Sequence, residues 1–213
     1  GRRWRMRSEG AKADGATPRK GARLVRRVMP NNILVTGKPG SGKTTLLVKL
    51  ADMIGMRGFK TGGFVTEEIR EGKNRVGFEV RDLGGDAAVL AHIDYKEKPR
   101  VGKFGVDVKA FERVGLRALE IGKKEADLLV VDEIGRMEMI SAPFRHALLE
   151  LLSLPVPLLA SIHVGSDEFT ATLLDRGDVV VHHLSPSGRD GLLEVIDDSL
   201  HAILKERKGF RDA

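Results

Sequence analysis

One stretch constrains this chain more than any other: Ile33-Leu-Val-Thr-Gly-Lys-Pro-Gly-Ser-Gly-Lys-Thr-Thr45. An apolar run, Ile33 to Val35, meets a glycine-rich turn from Gly37 to Gly42. Leu46, Leu47, Val48, Leu50, Met53 and Ile54 then recur at helical spacing. Gly37, four residues, Gly42, Lys43 and Thr44 satisfy the phosphate-loop pattern in the strand–turn–helix setting it requires. Glycines at 37, 40 and 42 are expected to take positive φ and turn backbone N–H groups inward as an anion-binding nest. The helix opening at Lys43 adds unpaired N–H donors and the positive end of its dipole. Lys43 then reaches the β- and γ-phosphates, and the Thr44 hydroxyl completes a Mg²⁺ site. The nucleotide-contacting loop is expected to comprise Gly37, Lys38, Pro39, Gly40, Ser41, Gly42, Lys43, Thr44 and Thr45.

The rest of the chain reads as strands alternating with helices. Thr61–Arg70 and Arg75–Val80, joined by Gly72-Lys-Asn74, read as an antiparallel hairpin. Residues 83–105 are glycine-rich and read as loop, with one short strand at Ala87–Ile93. Asp107 caps a helix that ends at Gly122, and Ser141 caps another with Pro143 in its first turn. Asp127–Asp132 and Val156–Ile162 are continuous apolar runs, the pattern of strands buried on both faces. A short helix near 167–175, a strand at Val179–Leu184 and a last helix over about 189–207 complete the chain. Such alternation predicts a three-layer α/β/α fold with a mainly parallel sheet and an added antiparallel hairpin. Ligands of these sheets sit at the carboxyl ends of the strands. Gly37–Thr44, Asp132–Glu133, His163 and residues 182–184 all fall at such ends.

The second motif is Leu128-Leu-Val-Val-Asp-Glu133, an apolar strand ending in two acids. A carboxylate just past a buried strand can hold Mg²⁺ opposite Thr44, a role assigned to Asp132. Glu133 projects differently and can orient or deprotonate an attacking water, an action worth about 10²–10⁴ in rate. An acid placed for water favours hydrolysis over transfer. Arg136, Arg176 and Arg189 are candidate charge-neutralising arginines in cis, with Arg136 first because it lies nearest the acids. His163 and Ser161 are the choices for a group sensing the γ-phosphate. His182 and His183 point to opposite sides of a strand and cannot share a metal. No Gly-x-Ser-x-Gly elbow and no cysteine nucleophile are present.

Five motifs occur in order: Gly37-Lys-Pro-Gly-Ser-Gly-Lys-Thr-Thr-Leu46, Gly62-Gly-Phe-Val-Thr-Glu-Glu-Ile-Arg70, Val76-Gly-Phe-Glu-Val80, Val101-Gly-Lys-Phe-Gly-Val-Asp107 and Val131-Asp-Glu-Ile-Gly-Arg-Met-Glu138. Over about residues 31–205 the chain resembles the THEP-type, or cancer-related, nucleoside-triphosphatases. The resemblance implies a RecA-like phosphate-loop NTPase fold. It also implies Mg²⁺-dependent hydrolysis of ATP, GTP and other triphosphates to diphosphate and phosphate. It further places Val130, Val131, Asp132, Glu133, Ile134, Gly135, Arg136 and Met137 beside the nucleotide. The stretch Ser185–Asp190 matches the family pattern only loosely, which sets Arg189 aside as a site residue.

Composition bounds the remaining readings. The 213 residues, 41% hydrophobic and 31% charged, suit one α/β domain over 30–213. No apolar run approaches the ~20 residues of a membrane span. The absence of cysteine fits a cytoplasmic protein without a thiolate zinc site. The net charge of +6 is uneven: residues 1–29 hold ten Lys/Arg against Glu9 and Asp14, and the remainder is slightly acidic. That basic tail reads as disordered, either a solvated extension or an electrostatic attachment to nucleic acid. Two alternatives to the hydrolase therefore stay open: a nucleotide or small-molecule kinase, and a nucleic-acid-associated ATPase that uses the tail.

Overall fold

The computed structural model describes residues 31–96, 98–163, 168–185 and 188–211. The basic segment 1–29, and with it the expectation of disorder, lies outside the described residues. The strands are β1 (Asn32–Thr36), β2 (Thr61–Glu71), β3 (Asn74–Asp82), β4 (Ala87–His92), β5 (Arg100–Val101), β6 (Phe104–Val106), β7 (Leu128–Ile134), β8 (Leu158–Ile162) and β9 (Val179–His183). The helices are α1 (Lys43–Met56), α2 (Val108–Phe111), α3 (Arg117–Glu125), α4 (Ala142–Leu152), α5 (Glu168–Leu174) and α6 (Arg189–Arg211). A π-helical turn, Glu112–Leu116, joins α2 to α3, so the helix capped by Asp107 runs on to Glu125.

The nine strands form one sheet in the order β5-β6-β4-β3-β2-β7-β8-β1-β9. From β2 to β9 along this order every pairing is parallel. From β2 outward to β5 every pairing is antiparallel. The period of two along each strand divides the apolar residues between two cores. Leu128 and Val130 of β7 pack with Leu47, Leu50 and Ile54 of α1 and with Ile196 and Leu200 of α6. Leu129 and Val131 pack on the other face with Phe111, Leu119, Phe144 and Leu148. Helices thus cover both faces, as the apolar strand runs require. Phe64, Phe111 and Phe144 meet edge-on, with ring centroids 5.2 to 6.0 Å apart. The expected caps form: Asp107 accepts from Ala110 N at 3.0 Å, and Ser141 accepts from Phe144 N at 3.1 Å.

Three expectations need correction. The 83–105 segment holds β4 and also β5 and β6, so the antiparallel part, β2 included, is five strands wide rather than a hairpin. The two extra strands have two and three residues, too short for alternation to register. Gly122 does not end its helix. A Cβ there would lie 2.5 Å from Leu129 Cδ2, and one on Gly62 would lie 3.1 Å from Gly122 Cα, so these glycines let α3 seat on the sheet. The last helix runs past Gly209 to Arg211.

Gly63 is tighter still, against β7. It has φ 109°, and an added Cβ would sit 2.0 Å from the Val130 carbonyl oxygen. Gly63→Ala is therefore expected to lower unfolding free energy by about 2 kcal/mol or more. Gly55→Ala, in α1 with nothing within 4 Å of the new Cβ, should change it little or raise it by up to ~1 kcal/mol. Urea unfolding of both variants checks the pair.

Candidate functional site

The site is assembled where β1, β7 and β8 end. Between β1 and α1 the backbone folds tightly, with Ser41 N donating to Lys38 O at 3.1 Å. Gly40 and Gly42 hold φ 76° and 95°, the left-handed values the pattern predicts. Gly37 does not, and its requirement is space: a Cβ there would lie 2.7 Å from Leu184 O and 2.9 Å from Ser41 Oγ. Gly42 meets both conditions, since an added Cβ would also lie 2.5 Å from the Arg189 guanidinium. Lys43 folds back along the loop, its Nζ donating to Gly37 O at 3.2 Å.

Asp132 is the hub. Its carboxylate is 1% exposed. It accepts from Thr44 Oγ1 at 2.6 Å on Oδ2 and from Ser161 Oγ on Oδ1. Thr66 Oγ1 of β2 donates to the Asp132 carbonyl at 2.8 Å. Because β8 lies between β1 and β7, Ser161 sits where it can bridge the two motifs. Burial raises the Asp132 pKa, and the hydrogen bonds from Ser161 and Thr44 and the charge of Lys43 oppose that rise. Two hard oxygen groups facing each other at 2.6 Å suit Mg²⁺, which takes few protein ligands and completes its shell with water and phosphate.

Glu133 faces the cleft, with Oε2 3.8 Å from Lys43 Nζ. Desolvation raises its pKa, Lys43 and His163 pull it down, and Asp132 pushes it up. A third acid, Glu138, was assigned no role from the motif that contains it. It follows β7 in a 3₁₀ turn, Glu138–Ile140, and is 4% exposed. Gly135 separates the two glutamates: a Cβ there would lie 2.7 Å from Glu133 Oε1 and 2.8 Å from Glu138 Oε2. Burial first, then the charge of Glu133, pushes Glu138 up to about 8, although backbone N–H groups of Glu138 and Gly135 oppose this. The glycine between the two acids was the available sequence signal.

The other expected site residues are distributed unevenly. Pro39, Gly40, Gly42, Lys43, Thr44, Thr45, Glu133, Arg136, Met137 and His163 line one cleft of about 900 Å³. Lys38 is exposed and Ser41 buried, its hydroxyl without a partner. Val130, Val131 and Ile134 turn into the two cores and line no part of the cleft. Asp132 acts from behind the cleft wall. Arg136 is exposed and free of ion pairs among the described residues. Arg176 is bound to Asp178, and Asp178 O accepts from Asn31 and Asn32 N at the entrance of β1, the far end from the loop. Arg189, which the loose match of Ser185–Asp190 leaves outside the expected site, donates from Nη2 to Ser41 O at 2.9 Å. Its place 147 residues beyond Gly42 hid that contact from sequence reading.

A parallel core in the order β2-β7-β8-β1-β9, with the loop after β1 and the acids among the last residues of β7, is the fold of a RecA-like phosphate-loop NTPase. A family model described as NTPase matches residues 32–196. The nucleoside-triphosphatase THEP1 of Thermotoga maritima is 40% identical over 177 residues, 83% of this chain and 97% of that protein. The THEP1 of Thermofilum pendens is 45% identical over 162 residues, 75% of this chain and 89% of that one. Two solved structures align over most of their length: THEP1 from Aquifex aeolicus, with TM-score 0.70, 32% identity and coverage of 78% of this chain and 96% of that one; and a human cancer-related nucleoside triphosphatase, with TM-score 0.69, 32% identity and coverage of 81% and 98%. The chain belongs to this NTPase family. Among the described residues no helix is long and apolar enough to cross a membrane.

Glu138 supplies a pH test. Its folded pKa of about 8 lies above the ordinary 4.5, so the folded state holds an extra proton between those values. The stabilising effect is complete below pH ~4.5 and is lost as pH rises through 8, at no more than about 1.4 kcal/mol per pH unit. Glu138→Gln removes the titrating group. Denaturant unfolding from pH 5 to 8.5 should show the parent losing more stability than Glu138→Gln, and parallel curves would refute the buried neutral acid.

Proposed function

We propose that this protein is a Mg²⁺-dependent nucleoside-triphosphatase that converts ATP, GTP and other triphosphates to the diphosphate and phosphate. Membership of the family supports triphosphate hydrolysis. The observation that carries the residue roles is Glu133 Oε2 set 3.8 Å from Lys43 Nζ, at the mouth of a loop whose Thr44 bonds Asp132.

The positive-φ glycines and the N-terminal end of α1 present backbone N–H groups to the phosphates. Lys43, directed along the loop, neutralises the β- and γ-phosphate oxygens. Thr44 and Asp132 would hold Mg²⁺, which when bound would supply neutralisation of phosphate charge. Glu133 orients a water and takes its proton as the water oxygen bonds to the γ-phosphorus and the bond to the β–γ bridging oxygen breaks. Burial raises the Glu133 pKa, and the charge of Lys43 opposes that rise. Arg136, exposed in the same cleft, neutralises charge that develops on the γ-phosphoryl group.

Phosphate release with each of four triphosphates tests this reading. Glu133→Gln should lower kcat by about 10²–10⁴ with nucleotide still bound; an unchanged rate would remove the water-activating role. Lys43→Ala should weaken triphosphate binding or turnover by about tenfold or more. Full activity without Lys43 would remove the phosphate-loop assignment. The nucleic-acid reading depends on residues 1–29, and comparing the full chain with one lacking them, with and without RNA, decides it.

A further inference from the structure

One wall of the cleft belongs to neither the phosphate loop nor the acids of β7. β2 pairs with β7 only from Thr61 to Phe64, against Leu128 to Val131. From Val65 to Glu71 its ladder is with β3 alone. Those seven residues span roughly 23 Å at ~3.3 Å each, whereas β7 continues only to Ile134. The β2–β3 hairpin therefore rises past the carboxyl end of the parallel core and stands beside the phosphate loop. Glu67, Glu68, Arg70, Arg75 and Phe78 of this hairpin line the same 900 Å³ cleft as Lys43 and Glu133. That volume lies at the upper end of the roughly 300–1,000 Å³ of small-molecule pockets.

We propose that the hairpin end of the cleft is a second ligand site, for a phosphomonoester carrying a sugar and a flat ring, the chemistry of a nucleoside monophosphate. It is held there while a triphosphate occupies the loop. Arg75 is fixed for this purpose. Its Nη1 donates to Glu68 Oε1 at 2.6 Å, and its guanidinium carbon sits over the Phe78 ring, 5.2 Å from the centroid. Arg70 Nε donates to the other oxygen of the same carboxylate at 2.8 Å. One acid thus orders two guanidinium groups and neutralises one charge, leaving donors for a phosphate. The outer face of the Arg75–Phe78 pair offers a flat surface for a ring. Asp52 and Glu67, in the same lining and without ion pairs among the described residues, can accept from sugar hydroxyls. Free phosphate would use the arginines and gain nothing from the flat surface or the acids.

The inference rests on the triphosphate site of the proposed function but not on its chemistry, so the two can fail separately. Calorimetric titration of the full chain, saturated with Mg²⁺ and a non-hydrolysable triphosphate analogue, tests it with AMP, CMP, GMP, UMP, ribose 5-phosphate and inorganic phosphate. At least one nucleoside monophosphate should bind saturably and more tightly than ribose 5-phosphate or phosphate. Arg75→Ala and Arg75→Lys should each weaken it about tenfold or more, since Lys keeps the charge but loses the fork and the flat face. Thermal unfolding controls for folding, and Arg75→Lys carries the test if Arg75→Ala does not fold. Four outcomes overturn the proposal: no saturable binding of any monophosphate, displacement of the monophosphate by the analogue, affinity unchanged in both Arg75 variants, or saturation by single-stranded RNA alone. Phosphate release measured on the same protein separates these from failure of the hydrolase reading.

Discussion

The buried carboxylate of Asp132 is the point on which the site's geometry turns. It hangs from β7, yet one oxygen is held by Thr44 from the first turn of α1 and the other by Ser161 from the intervening β8. Its own carbonyl accepts from Thr66 on the strand at the other side. Segments more than eighty residues apart in sequence are thereby fixed within hydrogen-bonding distance. The surrounding β-strands supply the reason this holds. Leu129, Val130 and Val131 are fully buried, so β7 has no freedom to shift register without exposing an apolar face.

The electrostatic consequence is a concentration of acid with one nearby lysine. Asp132, Glu133 and Glu138 lie within seven residues, all are raised by burial, and Lys43 opposes the rise of the first two, with His163 also acting on Glu133. Such a set stores unfavourable charge that a proton, a divalent cation or a phosphate-bound cation can relieve. Thr44 and Asp132 would hold a metal with the carboxylate ionised, and burial that raises its pKa would couple metal affinity to pH at this position. Glu138, deeper and neutral at pH 7, adds no second negative charge against Glu133. This leaves Glu133 under the influence of Lys43.

Much of this was legible in the sequence because the responsible interactions are local or periodic. The loop follows from glycine spacing, the parallel core from unbroken apolar runs such as Leu128–Val131, and the caps from Asp107 and Ser141. What was not legible depends on distant packing. β5 and β6 exist because they extend a sheet already formed by β4. Gly62 and Gly122 read as a strand entry and a helix stop, but they mark the close seating of α3 against β2. Val130, Val131 and Ile134 belong to the nucleotide-facing motif in sequence, yet they line no part of the cleft because helices cover both faces of β7 and take these side chains into the two cores.

Gly42 shows why a motif read residue by residue carries less than the structure does. Its positive φ explains the glycine locally and predicts nothing about the rest of the chain. The same position has a second demand, from the guanidinium of Arg189, which occupies the volume a Cβ would take and donates to Ser41 O. The loop is therefore braced from outside by the first residue of α6, whose own placement depends on Ile196 and Leu200 packing against α1. Leu184, just past β9, closes against Gly37 in the same way. The spacing of glycines in the loop encodes two docking surfaces for the C-terminal third of the chain as well as a cradle for phosphate. A side chain added at Gly37 or Gly42 would disturb that bracing even where the backbone angles tolerated it.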